Sequence, residues 1–462
     1  MTQVANRRSD PFLSGDYAPV ADEFSNEEVA VIGEIPKGLN GTFLRTGPNA
    51  QFEPLGRYHV FDGDGMLHAF TIKDGKATYS NKWIVSAALE SERRAGHALF
   101  GGMANFVIPS PEERGDAGII KNTGNTNVVH HAGRTFALME ACPPTLIGPD
   151  LTTLGEFDFD GRLKGPFTAH PKLDPETGEM LFFGYSPIPP YLRYHAVDAG
   201  GTLTRTVDIE LPEPVMIHDF VTTRDHVIFF DSPAVFSIKS LMAGGPMVSW
   251  KPENGTRIGV MARNGTEVEW FETDNCYIFH FVNGWSEGNK IFVDACRSPI
   301  MELDLNSGES SDTYGIGATL ARFTIDLDSK RVTWDQLDDR SGDFPRIADS
   351  HVGIKNRYGY LAGFREQRGH LFDFDRVIKY DLETGTANEY KSDGVVGEPI
   401  FAADPNGKSE DDGWVVTHSR ANGVSEMLVL DAHDLSAGPV ARLVAPQRIP
   451  YGFHGAWIER AV

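Results

Sequence analysis

Four histidines lie in surroundings that rarely hold an ionisable side chain. His170 ends the run GPFTAH, and the others lie in PVMIHDFV (His218), YIFHFVNGW (His280) and PYGFHGAW (His454). Each is in or beside a short apolar or aromatic stretch of strand-forming residues. A single histidine in such a stretch is usually a core residue with both ring nitrogens hydrogen-bonded to neighbours, and this interpretation is open for each of them alone.

The distances along the chain between these histidines exclude a local zinc motif such as HExxH. If the fold brings the four to one point away from water, their convergence is costly unless something binds the ring lone pairs. A metal ion does so, and imidazole suits Fe, Cu, Ni and Zn. The four are therefore candidate ligands of one metal ion.

The elements available to position them are predominantly β. Segments of one design recur: a strand-like run, a turn rich in Asp, Asn, Ser and Gly, and a second strand-like run, which is the pattern of a hairpin. They are TIKDGKATYS (71–80), KLDPETGEMLFFGY (172–185), VDAGGTLTRTVDI (197–209), ELDLNSGES (302–310), TIDLDSKRVTW (324–334), KYDLETGTANEY (379–390) and VLDAHDLSAGPVARL (429–443). The series predicts an all-β fold, either a β-propeller or a large sandwich. In a propeller the innermost strand of each blade reaches the axis, so four inner strands would supply one histidine each.

Composition excludes several classes of function. The chain has 462 residues and a formal net charge of −23, which disfavours a nucleic acid or another polyanion as partner. Its three cysteines, without CxxC spacing, provide neither a disulfide framework nor a thiolate metal site. No apolar stretch approaches the length of a membrane span, and the N-terminus lacks the apolar region of a signal peptide. These features predict a soluble protein of a reducing compartment, cytoplasmic if the source is bacterial.

Ordered sequence blocks over nearly the whole chain resemble the carotenoid cleavage oxygenase family. They are FLSGDYAPV (12–20), IPKGLNGTFLRTGPN (35–49), YHVFDGDGMLHA (58–69), NTNVVHHAGRTFALMEACPP (125–144), TAHPKLDPETGEM (168–180), IHDFVTT (217–223), FHFVNGWSEGNKIFVD (279–294), DFPRI (343–347), GEPIFAADP (397–405) and PYGFHGAW (450–457). The resemblance implies one domain over 1–462, a seven-bladed β-propeller with a helical and loop cap over the iron-bearing face. The cap would be formed by insertions at about 86–118 and 232–256.

The same resemblance implies a non-haem Fe(II) ion held by His170, His218, His280 and His454. Members of the family use O2 to split a C=C bond of a carotenoid, apocarotenoid, stilbene or phenylpropene into two carbonyl products. The expected partners are therefore O2 and an apolar conjugated alkene, with peripheral membrane contact as a further expectation. Met242, Met247 and Trp250 would form an apolar rim for substrate entry or, alternatively, a buried contact within the cap.

Three carboxylates match positions where the family supports the metal-bound histidines. Glu140 would support His218 and Glu398 would support His454, with ordinary strand-end salt bridges as the alternative. The third position, normally Glu, is Asp343 here; its side chain is one methylene shorter, so we expect a longer or water-bridged bond to His280. Thr126 matches a position where some members place a threonine methyl beside the vacant coordination site, with a plain strand threonine as the alternative.

Two methionines bear on the substrate. The stilbene- and phenylpropene-cleaving members bind the phenol hydroxyl with a Tyr and a Lys, and the matching positions here are Met103 and Met139. Methionine cannot ionise a phenol but packs well against a flexible polyene. We therefore expect a carotenoid or apocarotenoid substrate, with a stilbene or phenylpropene as the alternative. Two other classes stay open: a propeller hydrolase with Ca2+ or Zn2+ and carboxylate ligands, and a propeller that only binds protein partners.

Overall fold

The structure is a computed structural model that describes residues 3–6, 10–103, 105–243, 245–301, 317–366 and 372–459. Within these ranges the chain is mostly β-strand with few helices. The α-helices are α1 (Ala87–Ala95), α2 (Pro111–Arg114) and α3 (Ile238–Met242), and the 3-10 helices are Pro11–Leu13, Gly15–Tyr17, Val60–Asp62, Pro252–Asn254, Asp349–His351 and Leu435–Ala437. No helix in the described ranges is long and apolar enough to cross a membrane.

The strands of the first half of the chain are β1 (Phe24–Glu28), β2 (Ala30–Gly33), β3 (Gly41–Pro48), β4 (Gly65–Lys73), β5 (Lys76–Trp83), β6 (Asn127–His131), β7 (Arg134–Leu138), β8 (Thr145–Ile147), β9 (Thr153–Glu156), β10 (Lys172–Leu173), β11 (Met180–Tyr185), β12 (Leu192–Val197), β13 (Leu203–Ile209), β14 (Val221–Thr222), β15 (His226–Asp231) and β16 (Ala234–Phe236). Those of the second half are β17 (Val248–Trp250), β18 (Thr256–Ala262), β19 (Val268–Thr273), β20 (Tyr277–Glu287), β21 (Lys290–Ser298), β22 (Thr319–Asp326), β23 (Arg331–Arg346), β24 (Tyr358–Phe364), β25 (Phe374–Asp381), β26 (Thr386–Lys391), β27 (Val395–Val396), β28 (Ile400–Ala403), β29 (Gly413–Ala421), β30 (Val424–Asp431), β31 (Pro439–Val444) and β32 (Gly455–Ile458).

Antiparallel sheets follow one another along the chain. Their strand orders are β1-β5-β4-β3-β32, β6-β7-β8-β9, β10-β11-β12-β13, β14-β15-β18-β19, the two-stranded β16-β17, β20-β21-β22-β23-β24-β25-β26, and β2-β31-β30-β29-β27 with β28 beside β29. In the longest sheet, β23 pairs with β22 through its first part and with β24 through its last part. Strands from the two ends of the chain share two sheets, because β32 pairs with β3 and β2 pairs with β31.

The sheets pack face to face, since alternate residues of an inner strand point to opposite faces. In β4, Leu67 and Ala69 join a core shared with β6 and β7, whereas Phe70 and Ile72 join a core shared with β29 to β31. In β11, Phe182 packs toward β7 and Phe183 toward β15. Further cores join β15 and β18 to β20–β22, β20–β22 to β24 and β25, and β24 and β25 to β29 and β30. Apolar cores therefore connect each sheet to the next and the last sheet to the first.

The predicted hairpins are confirmed wherever the structure describes them. Asp74 and Gly75 form the loop between β4 and β5, and both have positive φ (50° and 74°), as a two-residue hairpin turn requires. The segments at 172–185, 197–209, 324–334, 379–390 and 429–443 likewise join antiparallel strand pairs. The hairpin predicted at 302–310 lies outside the described residues.

Both segments predicted to form a cap are insertions between strands. The first, 86–118, follows β5, precedes β6 and contains α1 and α2. The second, 232–256, separates the paired strands β15 and β18 and contains the β16–β17 pair and α3.

Candidate metal centre

The four candidate histidines come from four different sheets. His280 lies in β20, His454 immediately precedes β32, and His170 and His218 lie in the segments that lead into β10 and β14. Each of these strands is at the edge of its sheet. All four side chains are buried, and their ring nitrogens form a group in which every ligand atom lies within 4.8 Å of the others.

The Nε2 atoms face one another at short distances. The Nε2–Nε2 distance is 3.0 Å between His170 and His218, 3.1 Å between His218 and His280, and 3.2 Å between His280 and His454. Ligands at right angles and about 2.1 Å from one metal ion are about 3.0 Å apart, which matches these separations. The interpretation of four separate core histidines does not account for Nε2 atoms that converge in this way.

The Nδ1 atoms of three histidines point to carboxylates. His454 Nδ1 donates to Glu398 Oε1 at 3.0 Å, His280 Nδ1 donates to Asp343 Oδ1 at 2.8 Å, and His218 Nδ1 contacts Glu140 Oε1. A hydrogen on Nδ1 leaves the Nε2 lone pair of a neutral imidazole free for a cation. The donor set therefore fits a metal ion at the point where the Nε2 atoms meet.

Burial controls the protonation of two of these rings. It lowers the pKa of His170 well below the ordinary value, and it lowers that of His454 to about 4 although Glu398 acts in the opposite direction. Both rings are therefore neutral at pH 7, as metal ligands must be. Burial also lowers the pKa of His218, but the Glu140 carboxylate outweighs it and the net direction is upward. The Glu140 carboxylate thus acts on His218 in the direction opposite to burial.

Glu140 and Glu398 each have a second partner that fixes their orientation. Glu140 Oε2 accepts from the Tyr185 hydroxyl, and Glu398 Oε2 accepts from Gly455 N at 2.9 Å. The Arg346 guanidinium lies 3.6 Å from Glu398 Oε1. Burial raises the pKa of Glu398, but Arg346 and His454 outweigh it, so the pKa lies below the ordinary value and the group stays ionised.

The expectation of a longer or water-bridged Asp343 bond is wrong. The direct 2.8 Å bond to His280 is no longer than the bond between Glu398 and His454. The pairing of β23 with β24 changes register after Asp343, and Phe344 has a positive φ of 54°. This local bulge re-aims the side chain and compensates for the missing methylene. Asp343 Oδ1 also accepts from Phe344 N at 2.9 Å, which holds the carboxylate in place.

An apolar cavity adjoins the histidine cluster. His218, His280, His454, Asp343 and Thr126 lie in its wall. Most of the remaining wall is aromatic and consists of Phe61, Phe279, Phe344, Phe364, Phe372, Phe374 and Phe453. The Thr126 hydroxyl donates to Asn125 Oδ1 at 3.1 Å, and the backbone carbonyl of Thr126 accepts from His454 N at 3.1 Å. The cavity therefore places an apolar, mostly aromatic surface beside the histidines.

The predicted substrate methionines do not line this cavity among the described residues. Met103 packs against a cluster that contains Tyr277, and Phe279, which packs against the same cluster, lies in the cavity wall. Met139 is half-buried, and its sulfur accepts from Ala141 N at 3.4 Å. Their role stays a prediction.

The predicted rim residues differ in exposure. Met242 is 76 % exposed at the end of α3. Met247 and Trp250 instead pack into the same cluster as Met103. The rim interpretation therefore fits Met242, and the buried-contact alternative fits the other two.

Sequence reasoning missed four residues that support the centre: Tyr185, Arg346, Lys172 and Asp219. Lys172 and Asp219 stand beside ligand histidines in TAHPKLD and IHDFV, so proximity along the chain was an available signal. For Tyr185 and Arg346 no local pattern indicated a partner, because their contacts to Glu140 and Glu398 join distant parts of the chain.

Comparison with known proteins gives a consistent set of relatives. The model of the family described as retinal pigment epithelial membrane protein matches residues 17–459. Carotenoid 9,10(9',10')-cleavage dioxygenase 1 of Arabidopsis thaliana is 36 % identical, over 97 % of this chain and 89 % of the relative. Isoeugenol monooxygenase of Pseudomonas nitroreducens is 33 % identical, over 98 % and 99 %. The crystal structure of Pseudomonas brassicacearum lignostilbene dioxygenase superposes with a TM-score of 0.89 at 30 % identity, over 97 % of this chain and 98 % of the other.

Proposed function

Because the chain belongs to the carotenoid cleavage oxygenase family, the family of the retinal pigment epithelial membrane protein, we propose that it is a non-haem Fe(II) dioxygenase that cleaves a C=C bond of a carotenoid or apocarotenoid with O2 into two carbonyl products. The chain is thus an alkene-cleaving oxygenase, and its metal and substrate are the proposed parts. The observation that carries the proposal is the convergence of four buried Nε2 atoms at the wall of a phenylalanine-lined cavity.

His170, His218, His280 and His454 would hold the iron. An Fe(II) ion with neutral imidazole ligands keeps its charge and supplies O2 activation beside an electron-rich alkene. Such a centre has no carboxylate among the four proposed ligands, which argues against the calcium- or zinc-dependent hydrolase. A purely protein-binding propeller would not need converging histidines.

The surrounding residues have separate tasks. Glu140, Asp343 and Glu398 hold the Nδ1–H of three imidazoles and so keep each Nε2 lone pair directed inward. The phenylalanines bind the conjugated chain and exclude water from the histidines. Thr126, whose hydroxyl is engaged by Asn125, would present its methyl group to the open side of the centre.

We propose a seven-bladed β-propeller in a single domain over 1–462. Support comes from the apolar cores that connect each sheet to the next and the last sheet to the first. In this proposal the longest sheet forms two blades, because the first part of β23 pairs with β22 and its last part pairs with β24. The pairing of β32 with β3 would close the ring. The insertions at 86–118 and 232–256 would cap the face on which the iron lies.

Two observations bear on the class of alkene. Among the described residues in the cavity wall there is no Lys or Tyr that would bind a phenolate, which favours a carotenoid or apocarotenoid. The similarity to isoeugenol monooxygenase and lignostilbene dioxygenase favours the same chemistry on a phenylpropene or stilbene. We place the hydrocarbon substrate first because the described wall is aromatic and apolar.

We also propose a cytoplasmic location with peripheral membrane contact. All three cysteines are free and buried, as in a reducing compartment. Exposed apolar side chains in and near the two insertions, namely Phe106, Val107, Ile108, Ile119, Ile120 and Met242, would contact a membrane from which an apolar substrate is taken.

The proposal is tested by incubating iron-loaded protein separately with β-carotene, an apocarotenal, a 4-hydroxystilbene and isoeugenol, and identifying the carbonyl products by mass. We expect the highest catalytic efficiency on the apocarotenal. A clear preference for a phenol would instead establish the alternative substrate class.

His454→Ala tests the metal ligands, with His195→Ala as the control. His195 is a buried histidine of β12 that bonds Thr206, outside the cluster. We expect His454→Ala to lose iron and turnover together and His195→Ala to keep both when folded. An iron-replete, active His454→Ala protein would refute the assignment of the ligands.

A further inference from the structure

His170 differs from the other three histidines in its support. No carboxylate is bonded to its ring in the described part of the chain, whereas each of the other rings has one. The segment that carries it is held through the backbone, because Asn127 Nδ2 donates to Ala169 O at 2.7 Å. A second fixation of this segment comes from the side chain of Lys172, just beyond His170.

Lys172 is bound by Asp219, the residue after His218. Lys172 Nζ donates to Asp219 Oδ1 at 2.7 Å, and the Asp219 side chain is only 2 % exposed. Asp219 Oδ1 also accepts from Phe220 N at 2.8 Å, and Oδ2 accepts from Phe281 N at 2.9 Å. Phe281 directly follows His280. One carboxylate therefore connects the chain segments of three ligands.

The bond to Phe281 acts where strand pairing is irregular. The register of β20 against β21 shifts on both sides of Phe281. A regular ladder of backbone hydrogen bonds would fix the position of His280, but here an acceptor in the segment before β14 supplies part of that fixation.

Asp219 also contributes to an excess of acidic side chains around the cluster. The carboxylates of Glu140, Asp343, Glu398 and Asp219 are opposed by Lys172 and Arg346. The Asp349 carboxylate also lies 3.9 Å from Arg346, so acidic groups outnumber basic ones around the cluster, as suits a divalent cation. Replacing Asp219 by a neutral residue would remove one unit of negative charge and weaken the attraction for such an ion.

We propose that Asp219, with Lys172, is a positioning residue that holds the segments of His170, His218 and His280 in register for a divalent metal ion. This inference rests on the proposed metal centre but names residues outside its ligands and their bonded carboxylates. It predicts that Asp219 affects metal affinity and ligand geometry, and not only the stability of the fold.

The test measures Co(II) binding to metal-free protein by titration and by the visible absorption of the bound ion. The variants are Asp219→Asn and Lys172→Met. The control is Asp294→Asn, because Asp294 is equally buried and pairs with Arg322 between β21 and β22 away from the cluster. Thermal unfolding of each metal-free protein shows how much each substitution affects the fold alone.

We expect Asp219→Asn to bind Co(II) about 10- to 100-fold more weakly than wild type, with a changed absorption spectrum. Lys172→Met should weaken binding by a smaller factor, because Asp219 keeps its two backbone bonds. Asp294→Asn should lower the unfolding temperature without altering affinity or spectrum. The inference is overturned if Asp219→Asn lowers the unfolding temperature as Asp294→Asn does but binds Co(II) like wild type.

Two further outcomes separate the possible failures. If Asp219→Asn does not fold, a Lys172→Met protein with wild-type affinity and spectrum overturns the inference by itself. If the wild-type protein binds no Co(II), it is the proposed metal centre that fails.

Discussion

Asp343 offers a quantitative test of how a carboxylate beyond the ligands supports the centre. Its Oδ1 accepts from His280 Nδ1 at 2.8 Å and from Phe344 N at 2.9 Å, and the residue is 7 % exposed. In Asp343→Asn the amide oxygen can still accept from both donors, so the substitution removes the negative charge while leaving the bonds possible. Buried hydrogen bonds to charged groups contribute about 1.5–3 kcal/mol and those between neutral groups about 0.5–1.5 kcal/mol.

The difference is about 1–1.5 kcal/mol, and 1.4 kcal/mol corresponds to about tenfold in affinity. We therefore expect Asp343→Asn to weaken metal binding about 5- to 12-fold. Asp343→Ala also leaves the His280 Nδ1–H without its acceptor, for a total of about 3 kcal/mol or roughly 100-fold. Asp343→Glu should not improve binding, because the bond is already direct and an added methylene must be packed into a buried site.

The assay is equilibrium titration of metal-free protein with Fe(II) under anaerobic conditions, followed by kcat and KM on the preferred alkene. Asp338→Asn is the control, since Asp338 lies in the same strand and pairs with Arg340 at 2.8 Å. If Asp343→Asn and Asp343→Ala both bind iron as wild type does, the bond to His280 does not support the ligand.

The remaining predictions concern the other carboxylates and pH. Glu140→Gln and Glu398→Gln should each weaken iron binding or activity about 10- to 100-fold, measured by the same titration and kinetics; wild-type iron content and rate in Glu140→Gln would contradict its role. Burial lowers the pKa of His195 from its ordinary value near 6.5 to about 3, so the unfolded chain takes up a proton on this residue before the folded protein does. The buried His195 should therefore lower the stability of the protein as pH falls from about 6.5 to about 3. In His195→Gln the urea midpoint of unfolding should depend less steeply on pH over this range. The same pH dependence in wild type and variant would contradict the burial argument.

The all-β fold and the histidine cluster could be predicted because their signals are local. A turn such as Asp74–Gly75 is specified by the conformational freedom of the residues in it, and β4 and β5 follow from that turn. Likewise, an imidazole in YIFHFVNGW conflicts with its apolar neighbours, and the conflict is visible without knowing the partner. That conflict indicated a metal site, whereas the alkene-cleaving function was predicted from the resemblance of ordered sequence blocks to a known family.

Distances between distant segments could not be predicted in this way. The shorter side chain of Asp343 suggested a longer or water-bridged bond to His280. The distance also depends on the backbone, however, and the bulge at Phe344 arises where β23 pairs with β24, a distant part of the sequence. The error at Asp343 arose from treating the backbone as fixed while exchanging one side chain for another. The methionines are a different case: their chain positions matched substrate residues, neither lies in the described wall of the cavity, and their role stays a prediction.

The arrangement of the carboxylates explains why four edge strands can hold one rigid centre. Edge strands lack a pairing partner on one side, so their positions are less constrained than those of central strands. Here Glu398 ties His454 and Gly455 to the segment between β27 and β28, Asp343 ties His280 to β23, and Asp219 ties β20 to the segments before β10 and β14. Each tie uses a buried charge whose loss leaves partners unsatisfied, so small displacements of a histidine are resisted steeply. The geometry needed for metal binding is thus fixed by side-chain contacts between segments that are distant along the chain rather than by the pairing of neighbouring strands, which is why substitutions at these carboxylates should change metal affinity more than they change the stability of any one sheet.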